Sequence, residues 1–162
     1  MTHPTGYSRL QIWLHWLIAI LIAATWFTHE DMGRALRTRL DAGATGIEGN
    51  TLHVWLGGAA FALVAIRIVV RLVQGAPAAV PGANPLLDQA ALWGHRLLYL
   101  LMIAAPALGA VAWYGGLKSA GEIHEIAANA LVIVALGHAG VAIWHHAVLK
   151  DGVLTRMIRP RH

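Results

Sequence analysis

Hydrophobic and polar positions along the chain sort into four long apolar blocks separated by three polar or turn-rich connections. The blocks run from Leu10 to Thr28, Leu52 to Val73, Ala90 to Tyr114 and Ile123 to Leu149. Each is long enough for a helix to cross a hydrocarbon core about 30 Å thick. None alternates as a barrel strand does, and in lipid a helix satisfies its own backbone groups. The pattern predicts an all-α membrane protein of four transmembrane helices, with 1–162 as one domain. Residues His29 to Thr51 read as a polar loop, with Glu30, Asp31, Asp41 and Glu48 set against Arg34, Arg37 and Arg39. Gln74 to Pro85, carrying Gly75, Pro77, Pro81 and Gly82, reads as a connector that cannot continue a helix. Gly115, Gly116 and Gly121 predict a short turn before the fourth helix.

Composition sharpens this picture. With 57% hydrophobic and 12% charged residues, the chain departs from the soluble-domain norm. The net charge of +4 belongs to topology rather than to nucleic acid in a chain this apolar. If both ends lie inside, Arg9, Arg67, Arg71, Arg96, Lys150, Arg156, Arg159 and Arg161 share that side, eight of the twelve basic residues. Arg34, Arg37, Arg39 and Lys118 then lie outside with six of the eight acids, so the count predicts N-in and C-in. No small-residue cleavage site follows the first apolar run, which predicts a retained first helix. Cysteine is absent, which excludes disulfides, thiolate-ligated haem and cysteine-bound iron–sulfur clusters.

The histidines carry the candidate chemistry. Ten are present, several inside apolar runs where an ionisable group is costly. No charge interrupts the stretch between Glu125 and Lys150, yet it holds His138, with His124 just before it. Fourteen residues separate these two, nearly four turns and about 21 Å along a helix. Both imidazoles therefore leave nearly the same face at two depths, as stacking two haems across a bilayer requires. A bis-histidine haem needs a partner imidazole at matching depth. His15 on the first helix matches His138. For His124 the spacing leaves His29 and His53 both open. Gly57 and Gly58 follow His53, and Ala127, Ala128, Gly137, Ala139 and Gly140 flank the last-helix histidines, leaving room for a macrocycle or for helix contact. His95 stays open between packing, a quinone site and ligation. A solvated or headgroup role is the default for His145 and His146, and no role falls to His3 or His162.

The blocks YSRLQIWLHW, HVWLG…IRIVVRLV, GHRLLYLLMIAAPALG, HEIAANALVIVALGHAGVAIWHH and KDGVLTRMIRPR, in that order, resemble the bacterial cytochrome b561 family. The same fold is used by the b-type subunits of nickel–iron hydrogenases. The resemblance implies a four-helix di-haem bundle in the bacterial inner membrane, its two b haems held by His15, His53, His124 and His138. It prefers His53 to His29. It matches Arg67 and Arg71, one turn apart, as groups for membrane lipid phosphate or a haem propionate. It is nearest to the short members that pass electrons from superoxide to ubiquinone. That similarity implies a quinone pocket at His145 and Trp144, and a catalytic role for Lys118 in drawing the anionic donor. The segment GGLKSAGEIHE is shorter here than in those members. The alternative implied function is a b-type electron carrier between the quinone pool and a periplasmic redox partner.

Overall fold

The computed structural model describes residues 6–77 and 85–160, with side chains from residue 88 onward in the second stretch. Residues 78–84 of the proline-rich connector, including Pro81 and Gly82, lie outside the described residues, as do His3, Arg161 and His162. The elements are α1 (Arg9–Phe27), α2 (Met32–Asp41), α3 (Leu52–Gln74), α4 (Pro85–Gly115) and α5 (Lys118–Trp144). A π-helical turn, His145–Leu149, and a 3-10 turn, Leu154–Met157, complete the chain. Among the described residues four helices are long and apolar enough to span a membrane, as the blocks predict. Their outward faces are apolar, and Val73 is 80% exposed, a surface suited to lipid rather than water.

The bundle consists of two tight pairs. α1 packs along α3 and α4 along α5, while the pairs touch one another sparingly. Leu14 and Ile18 of α1 and Ala60 and Val64 of α3 are buried in the first pair, each set at i, i+4. Ala105, Ala112, Ala120 and Leu131 are buried in the second pair, and the small side chains let the α4 and α5 backbones approach closely. Hydrogen bonds fix the register of α1 on α3 near the termini. Ser8 caps α1 in a capping box with Gln11 and donates its hydroxyl to Gln74 Oε1 at 2.6 Å. Gln11 Nε2 donates to the Gly75 carbonyl at 2.8 Å.

Three expectations need correction. The polar loop His29 to Thr51 contains the amphipathic helix α2. Its Met32, Leu36 and Leu40 recur at i, i+4 and i+8 on one face. Leu36 and Leu40 cap the α4–α5 turn, their Cδ2 atoms 3.3 and 3.4 Å from where a Cβ would stand on Gly121 and Gly116. α4 begins at Pro85, five residues before Ala90, because proline is tolerated in a first helical turn where its missing N–H is not needed. α5 begins at Lys118, so Gly121 lies inside the helix and only Gly116 and Leu117 make the turn. Lys118 and Glu122, 3.9 Å apart at i, i+4, extend the helix beyond its apolar block. At the other end the α-helical geometry passes at His145 into the π turn, and the span ends at Leu149 as its apolar block does, before Lys150, which has φ 53°.

Candidate haem sites

Two pairs of imidazoles meet across the gap between the helix pairs. At the end capped by α2, His53 of α3 faces His124 of α5, with ring centroids 6.0 Å apart and planes at 85°. Nearer the termini, His15 of α1 faces His138 of α5 at 6.5 Å and 76°. Two imidazoles on opposite sides of one metal ion, each bonded at about 2 Å, place their ring centres roughly 6 Å apart. Both pairs have that spacing.

The cap-side pair is also oriented for ligation. His53 donates Nδ1–H to the Thr25 carbonyl of α1 at 2.9 Å, and His124 donates Nδ1–H to the Ala105 carbonyl of α4 at 2.7 Å. A fixed Nδ1–H leaves Nε2 as the free lone pair, the tautomer that a metal-binding histidine needs. Gly109 makes this placement possible, since a Cβ there would stand 3.1 Å from His124 Nδ1 and 3.2 Å from Cε1. At the terminal-side pair, Arg67 of α3 stands by and donates from Nη1 to the Gln11 carbonyl at 3.0 Å.

The surroundings fit a macrocycle. A Cβ added at Gly58, Gly137 or Gly140 would meet nothing within 4 Å, so there is open space beside the residues next to His138 and on the α3 stretch after His53. Among the described residues no three His, Cys, Asp or Glu side chains converge as a bare metal-ion site. Each facing pair offers two imidazole nitrogens, a donor set that would hold a b-type haem.

The other sequence-predicted residues fall around these pairs. His29 turns back on its own helix, its Nδ1–H donating to the Trp26 carbonyl and its ring 5.6 Å from the Trp26 ring. The structure therefore brings His53, not His29, to His124. Arg71 lies over the Tyr99 ring at 5.8 Å. Lys118 is exposed at the start of α5, beside Glu122. Trp144 is exposed at the end of α5. His145 donates Nδ1–H to Asp151 Oδ2 at 2.5 Å, and this bond holds the Asp151 carboxyl below its ordinary range. His95, which the spacing left open, comes within 5.0 Å of the His138 ring while donating Nδ1–H to the Ala91 carbonyl at 2.7 Å. Sequence reasoning missed Gly109 and Arg39. Gly109 closes the third family block but has no role assigned there, Arg39 reads only as a charge of the outer loop, and the roles of both depend on contacts between α4, α5 and α2.

Comparison with known proteins agrees with this geometry. Residues 6–160 match the family described as prokaryotic cytochrome b561. The chain is 44% identical to cytochrome b562 of Cereibacter sphaeroides over 99% of its length and 100% of the relative's. It is 31% identical to the probable superoxide oxidase CybB of Yersinia pestis, covering 94% of this chain and 95% of that one. It is 29% identical to cytochrome b561 homolog 1 of Escherichia coli, covering 96% and 98%. The four apolar spans, the facing imidazoles and the match over nearly the whole length together make the chain a member of the prokaryotic cytochrome b561 family, a b-type haem protein that carries electrons in a bacterial membrane.

Proposed function

We propose that the protein holds two b haems and passes electrons from superoxide at the periplasmic face to ubiquinone at the cytoplasmic side of the inner membrane. Its termini are inside and α2 is outside. The observation that carries this reading is the placement of two facing imidazole pairs at opposite ends of α5, one at His124 and one at His138. Bound haem supplies a one-electron centre at each pair. His53 and His124 hold the outer group and His15 and His138 the inner one, with the Thr25 and Ala105 carbonyls orienting the outer ligands. Arg67 and Arg71 hold anionic oxygen near the inner end, from propionate or lipid phosphate.

Lys118 is exposed at the outer end of the helix that carries His124, and a fixed cation there raises the local concentration of an anionic donor. At the inner end Trp144 flanks the quinone head. His145, oriented by Asp151, passes a proton to a quinone carbonyl oxygen. The reaction balances as two superoxide, one ubiquinone and two protons giving two dioxygen and one ubiquinol. The resemblance of 31% to a probable superoxide oxidase supports the donor.

A second reading, a b-type carrier between the quinone pool and a periplasmic redox partner, has its own support. The α4–α5 turn is only Gly116 and Leu117, and the 44% relative is named only as a cytochrome b562. A reduced-minus-oxidised spectrum of purified protein, with haem quantitation, decides between them. Rapid reduction of both haems by superoxide and reoxidation by ubiquinone is the expected result. Reduction by dithionite or quinol alone would assign the carrier role.

A further inference from the structure

Arg39 is 5% exposed on a helix that lies across the capped end of the bundle. Its Nε–H donates to the Trp113 carbonyl at 3.0 Å, Nη1 to the Glu48 carbonyl at 2.7 Å, and Nη2 to the Gly46 carbonyl. The guanidinium carbon lies 4.7 Å from the Trp113 ring centre and 5.8 Å from that of Tyr114. Among the described residues no carboxylate comes within 4.0 Å of it, and Asp41 and Glu48 have exposed side chains. Carbonyl dipoles and aromatic faces solvate a cation without neutralising it. The result is a buried positive charge that carbonyls and aromatic faces hold in place of an ion-pair partner.

Its place in the fold gives that charge a target. Trp113 is one turn beyond Gly109 on α4, and Gly109 is the residue against which the His124 ring rests. One turn of helix and one hydrogen bond put the guanidinium roughly 10 Å from the His124 imidazole. Trp113, against which the guanidinium lies, is 4% exposed, so little water reaches this part of the cap. Lys118 and Glu122 at the start of α5 are 3.9 Å apart and exposed, and Glu125 beside His124 is exposed too, so water and salt weaken the fields of all three.

We propose that Arg39 is a positioning residue that sets the redox balance of the cap-side haem, its buried charge favouring the reduced form. This rests on the reading that His53 and His124 hold a haem. At roughly 10 Å and an effective dielectric near 20, one such charge shifts a one-electron equilibrium by about tenfold, or about 59 mV. The cap-side centre is thereby the better electron acceptor for a donor arriving at α2.

The test is an optical redox titration of the purified holoprotein, with the cap-side midpoint assigned by its loss in His124→Ala. Arg39→Gln, which keeps amide donors for the carbonyls, is compared with Arg39→Lys, which keeps the charge. The expected result is a cap-side midpoint about tenfold less favourable in Arg39→Gln, near its original value in Arg39→Lys, with the other midpoint unmoved. An unmoved cap-side midpoint in Arg39→Gln, equal shifts in both variants, or loss of the cap-side haem from both would overturn the proposal. Absence of any His124-dependent haem from the unaltered protein would overturn the site reading itself.

Discussion

His53 and His124 face each other at 6.0 Å while each is anchored to a different third helix, through Thr25 of α1 and Ala105 of α4. All four spans thus meet at one pair of imidazoles. The orientation of each ring is set by a backbone carbonyl, which no side-chain substitution on the anchoring helix removes directly. Replacing either histidine by alanine should lower haem content from two per chain to one, and the double variant should lose no more. His29→Ala should keep both haems, since that ring is tied to Trp26. Pyridine haemochrome quantitation reads all four proteins, and a loss of haem in His29→Ala would contradict the pairing.

Gly109 is the steric counterpart of that geometry. A methyl group there would press on the His124 ring at 3.1 Å, and overpacking of this kind costs about 1–3 kcal/mol. Gly109→Ala should therefore shed the cap-side haem or weaken its retention at least several-fold. The spectrum of the His15–His138 centre should persist. Gly33→Ala, on α2 with nothing within 4 Å of the added atom, serves as the control and should retain both haems.

Lys118 should act on the donor and not on the fold. Its side chain is 69% exposed and its ion pair with Glu122 spans 3.9 Å, so the pair adds little stability. Lys118→Glu should leave haem content unchanged. It should slow reduction by superoxide about tenfold at low ionic strength, with the difference shrinking as salt is added. Stopped-flow reduction across a salt series is the measurement, and a salt-independent deficit would point away from electrostatic attraction.

The chain after α5 carries an acid-sensitive contact. The hydrogen bond from His145 holds the Asp151 carboxyl below its usual range, with the Val153 N–H, 3.1 Å from Oδ1, adding to it. A depressed folded-state value means the contact contributes fully above the ordinary carboxylate value, near 4, and is lost as pH falls through the lower folded value. Hydrogen exchange of residues 150–157 should therefore accelerate on acidification below about pH 4, once corrected for intrinsic rates. Asp151→Asn should remove that transition while leaving the haem pairs intact.

The spans were legible in the sequence because lipid imposes a simple rule: long apolar runs become helices, whatever they pack against. The depth match of His15 with His138 was legible too, since helical rise converts sequence separation into distance. Spacing could not choose His53 over His29, because both lie near the same depth and only the direction of each ring distinguishes them; the family resemblance alone preferred His53. α2 stayed hidden because ten residues with four charges fall below any spanning pattern, and their helix forms by resting Leu36 and Leu40 on the α4–α5 turn. Arg39 reads in sequence as one more surface cation of a polar loop. Its burial depends on the carbonyls of Gly46, Glu48 and Trp113 converging from two separate parts of the chain. The sequence by itself determined the four spans, their order and the depths of the imidazoles, since these follow from hydropathy and helical rise. Tertiary structure alone decided which imidazoles face each other, which glycine makes room for them and which cation is buried above them, since each of these is a contact between distant segments.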